Sequence, residues 1–577
     1  MFDERIFRCG HSDYYGDEIL AANRTHTPQR LAEIARSGFN GIWLRGILRN
    51  LAPTDLFRKY VRKSDQRLEE LKKLCRRGRR LGLGVWLYMT EPLGLPVGHR
   101  FWRDHRGLAG LRSRLLDEAP EYALCSSSHE VRGYLRDGFC ELFGRVDLAG
   151  VILITASEHA SNCWAHLPTN PNNTGYSEFR GQGRACRRCG PRGPEEVIAE
   201  IVNTIHTAVK SARADAQVVA WDWSWNMHLD PPYAALTDRL GEEVILMGDF
   251  ERGGVVSRSG RRLEVEEYSL IYSGPSKRFG GEVKVNAQKR RMWAKLQINT
   301  THELATVANL PLVVSLYRKF SYMRRSGVRG YMACWNFACA PDTLNVFAVG
   351  KLSGSRLDGC ERRWLGGLAR DYFGRGVDAE GVVRAWYGFM RACYCYPIGG
   401  GNEFLYWGPL NYALAYPLKL HFDGKAMGPS WLKHSFGDRL EDSATSYSLP
   451  EIAELLGKLT ARWAGAVRVY EVALARADRR CRASMELGTA GVAGAAFRSA
   501  WNVYRWYLLR RRRRSEKVTR PQREIIADEL ANLEAALPLV AADRRLGFHQ
   551  EAQWGMFSPA AIRKKRSQLR ELLGRND

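Results

Sequence analysis

Two glutamates carry most of the chemistry this sequence offers. Glu158 is the first carboxylate beyond the apolar run Val151–Ile154, in Gly150-Val-Ile-Leu-Ile-Thr-Ala-Ser-Glu158-His-Ala-Ser-Asn162-Cys163-Trp164. Glu303 follows a second apolar segment, 292–299, in Asn299-Thr-Thr-His302-Glu303. Cleaving a glycosidic bond needs such a pair. One acid protonates the leaving oxygen, and the other attacks the anomeric carbon or activates a water. The expected roles are Glu158 as general acid/base and Glu303 as nucleophile or its electrostatic stand-in. Thr300 and Thr301 ahead of Glu303 also fit a helix cap, and that reading stands beside the first.

A second set is sulfur-based. Cys163 and the Cys186-Arg-Arg-Cys189 pair lie in one loop, 159–192, immediately after Glu158. Thiolates at this spacing suit a structural Zn²⁺ in a tetrahedron. Cys125 is the favoured fourth ligand, ahead of His166 and Cys9. Free thiols are the other reading. A redox Cys-x-x-Cys is disfavoured because no thioredoxin-like unit surrounds it. No organic cofactor is expected, since no Gly-rich phosphate loop follows the first strand.

The elements that must position these groups follow from hydrophobic pattern. Val151–Ile154 is apolar throughout, as a strand buried on both faces of a parallel sheet must be. Comparable segments recur near residues 5–9, 38–46, 83–89, 217–223, 243–249, 292–299 and 327–336, mostly separated by helical stretches. Thr27-Pro28 marks one helix start, a cap followed by proline at the first helical position. Eight strand–helix units predict an α/β fold of the (β/α)₈ class over residues 1–345. After about residue 345 the strand signal gives way to long helical stretches, so an all-α domain is expected over 346–577.

In such a barrel the chemistry sits where strands end. The strand ends supply His11, Asp13, Trp43, Arg45, Tyr88, Trp221, Asp222, Trp223, Asp249, Trp335 and Asn336. Asn162 and His302 stand beside the two glutamates. Indole faces suit the apolar faces of sugar rings, and the polar groups suit hydroxyls. The partner these residues imply is an oligosaccharide or glycoside.

Stretches of this chain resemble the bacterial (β/α)₈ glycoside hydrolases related to the family-twenty β-N-acetylhexosaminidases. They are Gly150-Val-Ile-Leu-Ile-Thr-Ala-Ser-Glu158, Val219-Ala-Trp-Asp-Trp-Ser-Trp225 and Gly330-Tyr-Met-Ala-Cys-Trp335. The resemblance implies an enzyme that removes a terminal, β-linked, N-acetylated sugar. That family carries an Asp-Glu pair after strand four, the Asp orienting the substrate's acetamido group. Here Ser157 precedes Glu158, which favours two carboxylates over substrate assistance. The cysteine loop resembles the zinc cluster of certain clan-A β-galactosidases.

Composition narrows the remaining classes. The chain has 577 residues with 17 Trp and 24 Tyr, enough for a large core. No apolar run reaches the ~20 residues that span a bilayer. The N-terminus lacks the pattern of a signal peptide, so a cytoplasmic location is expected. Net charge is +25, which raises a nucleic-acid-associated protein as an alternative. The clusters at 76–80 and 510–514 belong to no recognised nucleic-acid motif, so solvated arginine-rich helix faces are preferred. A non-catalytic carbohydrate-binding barrel is the other alternative. A homo-oligomer is compatible with everything above.

Overall fold

The computed structural model describes residues 2–574 except 11, 114–118, 157–158, 166–180, 355–356, 358, 402, 433–435, 445 and 513–516. All eight expected strands form. They are Glu4–Arg8, Gly41–Arg45, Gly84–Met89 and Gly150–Ile154, then Gln217–Trp221, Ile245–Asp249, Met292–Lys295 and Gly330–Met332. Numbered one to eight in chain order, they pair in sequence and strand one closes on strand eight. Every barrel ladder is parallel. The fold is a (β/α)₈ barrel.

Glycines make room for tryptophans inside it. Trp86 of strand three and Trp293 of strand seven meet edge to face at 5.3 Å. Trp86 is in register with Gly150, and Trp293 with Gly330. A Cβ at Gly330 would lie 2.7 Å from Trp293 Nε1. One at Gly150 would lie 2.5 Å from Trp86 Cζ3 and 2.3 Å from the Gln217 carbonyl. A large side chain on one strand is thus matched by none on its neighbour, as close packing of the layers requires. Gly150→Ala should therefore destabilise the barrel by about 1–3 kcal/mol, the usual range for overpacking. The upper end is expected because a ladder carbonyl cannot rotate aside. The midpoint of denaturant unfolding measures this, and an unchanged midpoint would mean strand four can shift freely.

Local chemistry explains the helices. The Thr27 side chain accepts from Arg30 N–H, with Pro28 at the first turn. Helices Ser64–Arg79, His129–Arg145 and Gly193–Ala212 bury one apolar stripe each. In the C-terminal region, Ser448 with Glu451 and Thr519 with Gln522 form capping boxes opening helices Leu449–Leu474 and Arg520–Ala542.

Three features were not expected. A three-stranded antiparallel sheet, Leu95–Pro96, Ala109–Ser113 and Glu121–Leu124, follows strand three. A hairpin, Gly254–Arg258 with Arg261–Val265, follows strand six. The helical region also contains a short antiparallel pair, Phe548–His549 with Trp554–Gly555. That region reaches back to the barrel: Gly547 N–H donates to the Thr306 carbonyl at 2.8 Å, and Cys339 N–H to Gln550 Oε1 at 3.0 Å. No helix among the described residues is long and apolar enough to cross a membrane.

Candidate active site at the barrel mouth

Trp335, just beyond strand eight, is the centre of the mouth. Its ring stacks on Trp43 at 5.0 Å and meets Tyr88 at 5.0 Å, Tyr14 at 5.3 Å and Trp221 at 5.7 Å. Its indole N–H donates to Glu551 Oε1 of the helical region at 3.0 Å. Trp335 is only half-buried, as is Trp223, which lies under the Arg252 guanidinium at 4.7 Å. Asp13 is exposed at the rim. Arg45 lies over the Tyr14 ring at 4.7 Å. These groups form an aromatic floor with polar edges.

Several residues expected to touch a ligand instead hold that floor up. Trp43, Trp221, Asp222, Asp249 and Asn336 have no exposed surface, and Tyr88 is buried as well. Trp43 is packed between Trp335 and the Arg8 guanidinium, 4.1 Å from its ring. Arg8 forms a buried ion pair with Glu18 and donates to Asn336 Oδ1 at 3.3 Å. Asp249 accepts from Trp221 Nε1 at 2.9 Å and from Arg252 at 3.1 Å. Asp222 accepts from Arg278 Nε at 2.9 Å and from Asp249 N–H at 3.2 Å. A carboxylate whose oxygens are already occupied by buried donors positions its neighbours and does not bind sugar hydroxyls. Asn162 is likewise internal, bonded to the Thr155 carbonyl and accepting from Trp164 N–H at 2.6 Å. It folds the chain back after strand four.

Glu303 needs a correction of the same kind. The expectation placed it across the mouth from Glu158. Strand seven ends at Lys295, and the Glu303 carboxylate is buried away from solvent. One oxygen accepts from the Ser269 hydroxyl and from Ile271 N–H at 3.1 Å, the other from Leu270 N–H at 3.0 Å. Its own N–H is capped by Thr301 Oγ1 at 3.2 Å. Burial raises its pKa to about 7, against the pull of those three donors. Glu303 fastens the 269–271 segment. His11 and Glu158 lie outside the described residues.

Other carboxylates do face the mouth. Glu267, on the return from the strand-six hairpin, accepts the Tyr406 hydroxyl on one oxygen and Tyr268 N–H at 2.8 Å on the other. Tyr268 packs in the barrel interior, 6.3 Å from Trp221, with Lys295 Nζ 3.8 Å from its ring centre. Glu551 Oε2 lies 3.1 Å from His302 Nε2. His302 Nδ1 meets Ser430 Oγ at 3.2 Å, and its ring contacts Phe337 and Tyr406 at 4.6 and 5.0 Å. Glu551 thus pairs with His302, whose ring packs edge to face on Tyr406, and the Tyr406 hydroxyl donates to Glu267. Sequence reasoning missed Glu267, Tyr406 and Glu551. The one available signal was the carboxylate-rich run Glu264-Val-Glu-Glu267-Tyr268.

Beside the mouth, a cavity of about 590 Å³ is lined by Asn226, Pro232, Arg252, Glu264, Glu266 and Lys277. Burial and the neighbouring carboxylates of Glu264 and Glu403 push Glu266 up to about 7. Arg252 joins the two spaces.

Cys125, Cys163, Cys186 and Cys189 come together on the flank of the mouth. All four are buried, and their sulfurs lie within 4.8 Å of one another. Cys9, a considered alternative ligand, instead points to the Thr25 carbonyl at 3.6 Å. His166 lies outside the described residues.

No family model matches this sequence, and no curated protein is similar to it in sequence. Solved structures are similar in fold. One of them, described as a GH138 enzyme targeting pectin rhamnogalacturonan II, aligns over 99% of this chain and 67% of its own. The TM-score is 0.51 at 10% identity. That alignment runs through both the barrel and the helical region, so the two are shared as one architecture. A Flavobacterium johnsoniae chitobiase aligns over 98% of this chain and 78% of its own, at 10% identity and a TM-score of 0.36. A Thermobaculum terrenum O-GlcNAc hydrolase mutant aligns over 98% and 94%, at 11% identity and a TM-score of 0.36.

Proposed function

We propose that this chain is a glycoside hydrolase that binds a sugar against Trp335 and Trp223 at the barrel mouth. The observation that carries this reading is a half-buried aromatic floor with carboxylates at its edge, set at the strand ends of a parallel barrel. Glu158, four residues past the end of strand four, is the general acid/base. Glu267 is the second carboxylate, in place of Glu303. Glu267 accepts two hydrogen bonds and keeps a little exposed surface, whereas Glu303 accepts three and has none.

In the reaction, Glu158 protonates the glycosidic oxygen as the bond breaks. Glu267 attacks the anomeric carbon, and the Tyr406 hydroxyl steadies the carboxylate that attacks. Water then releases the sugar with Glu158 as base. In the sequence Ser157, not an Asp, precedes Glu158, which favours this two-carboxylate route. Tyr406, Ser430 and Glu551 close one side of the mouth from the helical region. That suits the terminal, β-linked sugar the sequence resemblance implies. The cavity reached past Arg252 would take what lies beyond the cleaved bond.

A panel of aryl glycosides, including β-linked N-acetylated ones, tests the reading. At least one should be hydrolysed, and Glu267→Gln should cut its turnover by about 10²-fold or more, as expected for a residue in the bond-making step. Calorimetric binding of oligosaccharides with no hydrolysis of any would reassign the chain as a carbohydrate-binding barrel. Full turnover by Glu267→Gln would move the nucleophile elsewhere.

A further inference from the structure

We propose that Cys125, Cys163, Cys186 and Cys189 hold one structural Zn²⁺ that ties the segment after strand four to the sheet after strand three. This does not depend on the hydrolase reading. Zinc–sulfur bonds of ~2.3 Å set the edges of a tetrahedron of sulfurs at about 3.8 Å. Cys125 Sγ lies 3.8 Å from Cys186 Sγ and 3.5 Å from Cys189 Sγ. The set comes from three separate places in the chain. Cys125 follows the strand Glu121–Leu124, Cys163 follows strand four, and Cys186 and Cys189 precede helix Gly193–Ala212. Packing apolar side chains there would be simpler, so four sulfurs brought together from three elements point to a shared ligand.

The surroundings fit a thiolate-bound cation. Cys189 N–H points to Cys186 Sγ at 3.5 Å, the turn in which backbone donors stabilise thiolate charge. The Ser127 hydroxyl lies 3.2 Å from Cys189 Sγ and accepts from Arg192 at 2.9 Å. Arg192 is itself held by Glu196 at 2.7 Å and Glu200 at 2.9 Å, which fixes the guanidinium that orients Ser127. Arg188 donates to the Gly107 carbonyl at 2.6 Å, joining the cysteine turn to the turn that precedes strand Ala109–Ser113. Gly110 approaches so closely that a Cβ there would lie 2.6 Å from Cys163 Sγ. The cradle is shaped to the sulfur.

Four sulfurs in a tetrahedron select zinc or iron, and zinc brings no redox chemistry. Binding replaces four S–H protons with S–Zn bonds and releases those protons to solvent. The test is metal analysis of the full chain purified without chelator. One zinc per chain is expected, released stoichiometrically by a mercurial reagent. Cys186→Ser and Cys189→Ser should lose most of it, and the exposed Cys140→Ser and Cys481→Ser should keep it. Cobalt exchanged into the site should give the intense visible bands of tetrahedral thiolate coordination. Should the ligand variants fail to fold, the zinc content and mercurial release of the unaltered chain still decide. Zinc well below one per chain with four titratable thiols, disulfides among the four by mass, or iron in place of zinc would each overturn the proposal.

Discussion

Glu158→Gln should lower turnover of unactivated glycosides by about 10²–10⁴-fold, the range that general acid catalysis contributes. Aryl glycosides with good leaving groups should lose much less in bond cleavage, because a nitrophenolate departs without a proton. The release of the sugar would still be slow, since the same residue acts there as base. Added azide should then restore turnover by replacing water with a nucleophile that needs no base. Thr155 and Ala156 are fully buried, and Asn162 bonds back to the Thr155 carbonyl. Substitution by an amide of the same size should leave the unfolding midpoint unchanged. Equal loss on good and poor leaving groups, with no azide effect, would remove Glu158 from the acid/base role.

Lys319→Met should destabilise the protein by about 3–5 kcal/mol, the cost of leaving a buried charge without its partner. Lys319 and Glu251 form an ion pair in which neither side chain has any exposed surface. The ammonium also donates to the carbonyls of Ser269 at 2.6 Å and Gln297 at 3.2 Å. Glu251 accepts from Gln297 N–H at 3.0 Å. One pair thus joins the exits of strands six and seven, helix Val313–Arg325 and the segment that carries Glu267.

Burial already pushes the Glu251 carboxyl up, and Lys319 and then Lys295 pull it back. Without Lys319 it should rise further. A carboxyl raised on folding costs nothing below its unfolded range and costs progressively more as pH rises through its folded value. The loss in the variant should accordingly be smallest in acid and grow toward neutral pH. Glu251→Gln combined with Lys319→Met should recover part of it. Denaturant unfolding across pH measures all three, and a loss independent of pH would mean that packing, not charge, is responsible.

The barrel was legible in the order of the amino acids alone. Strands buried on both faces must be apolar throughout, so Val85–Met89, Val151–Ile154 and Val218–Trp221 announce themselves without any knowledge of their neighbours. The helix start at Thr27-Pro28 is equally local, because a cap satisfies amides within one turn. The spacing of Cys186 and Cys189 is local for the same reason.

Which glutamate faces the mouth was not local. Glu303 has the position of a catalytic residue in sequence, but its fate is decided by Ser269, Leu270 and Ile271, about thirty residues upstream. Glu551 meets Trp335 only because the helical region folds back over strand eight, a separation of 216 residues. Cys125 rather than Cys9 joins the sulfur cluster because an unanticipated sheet after strand three carries it there. Secondary structure here follows from contacts within a turn or along a strand. The site follows from hydrogen bonds and packing between distant segments, which no local pattern records.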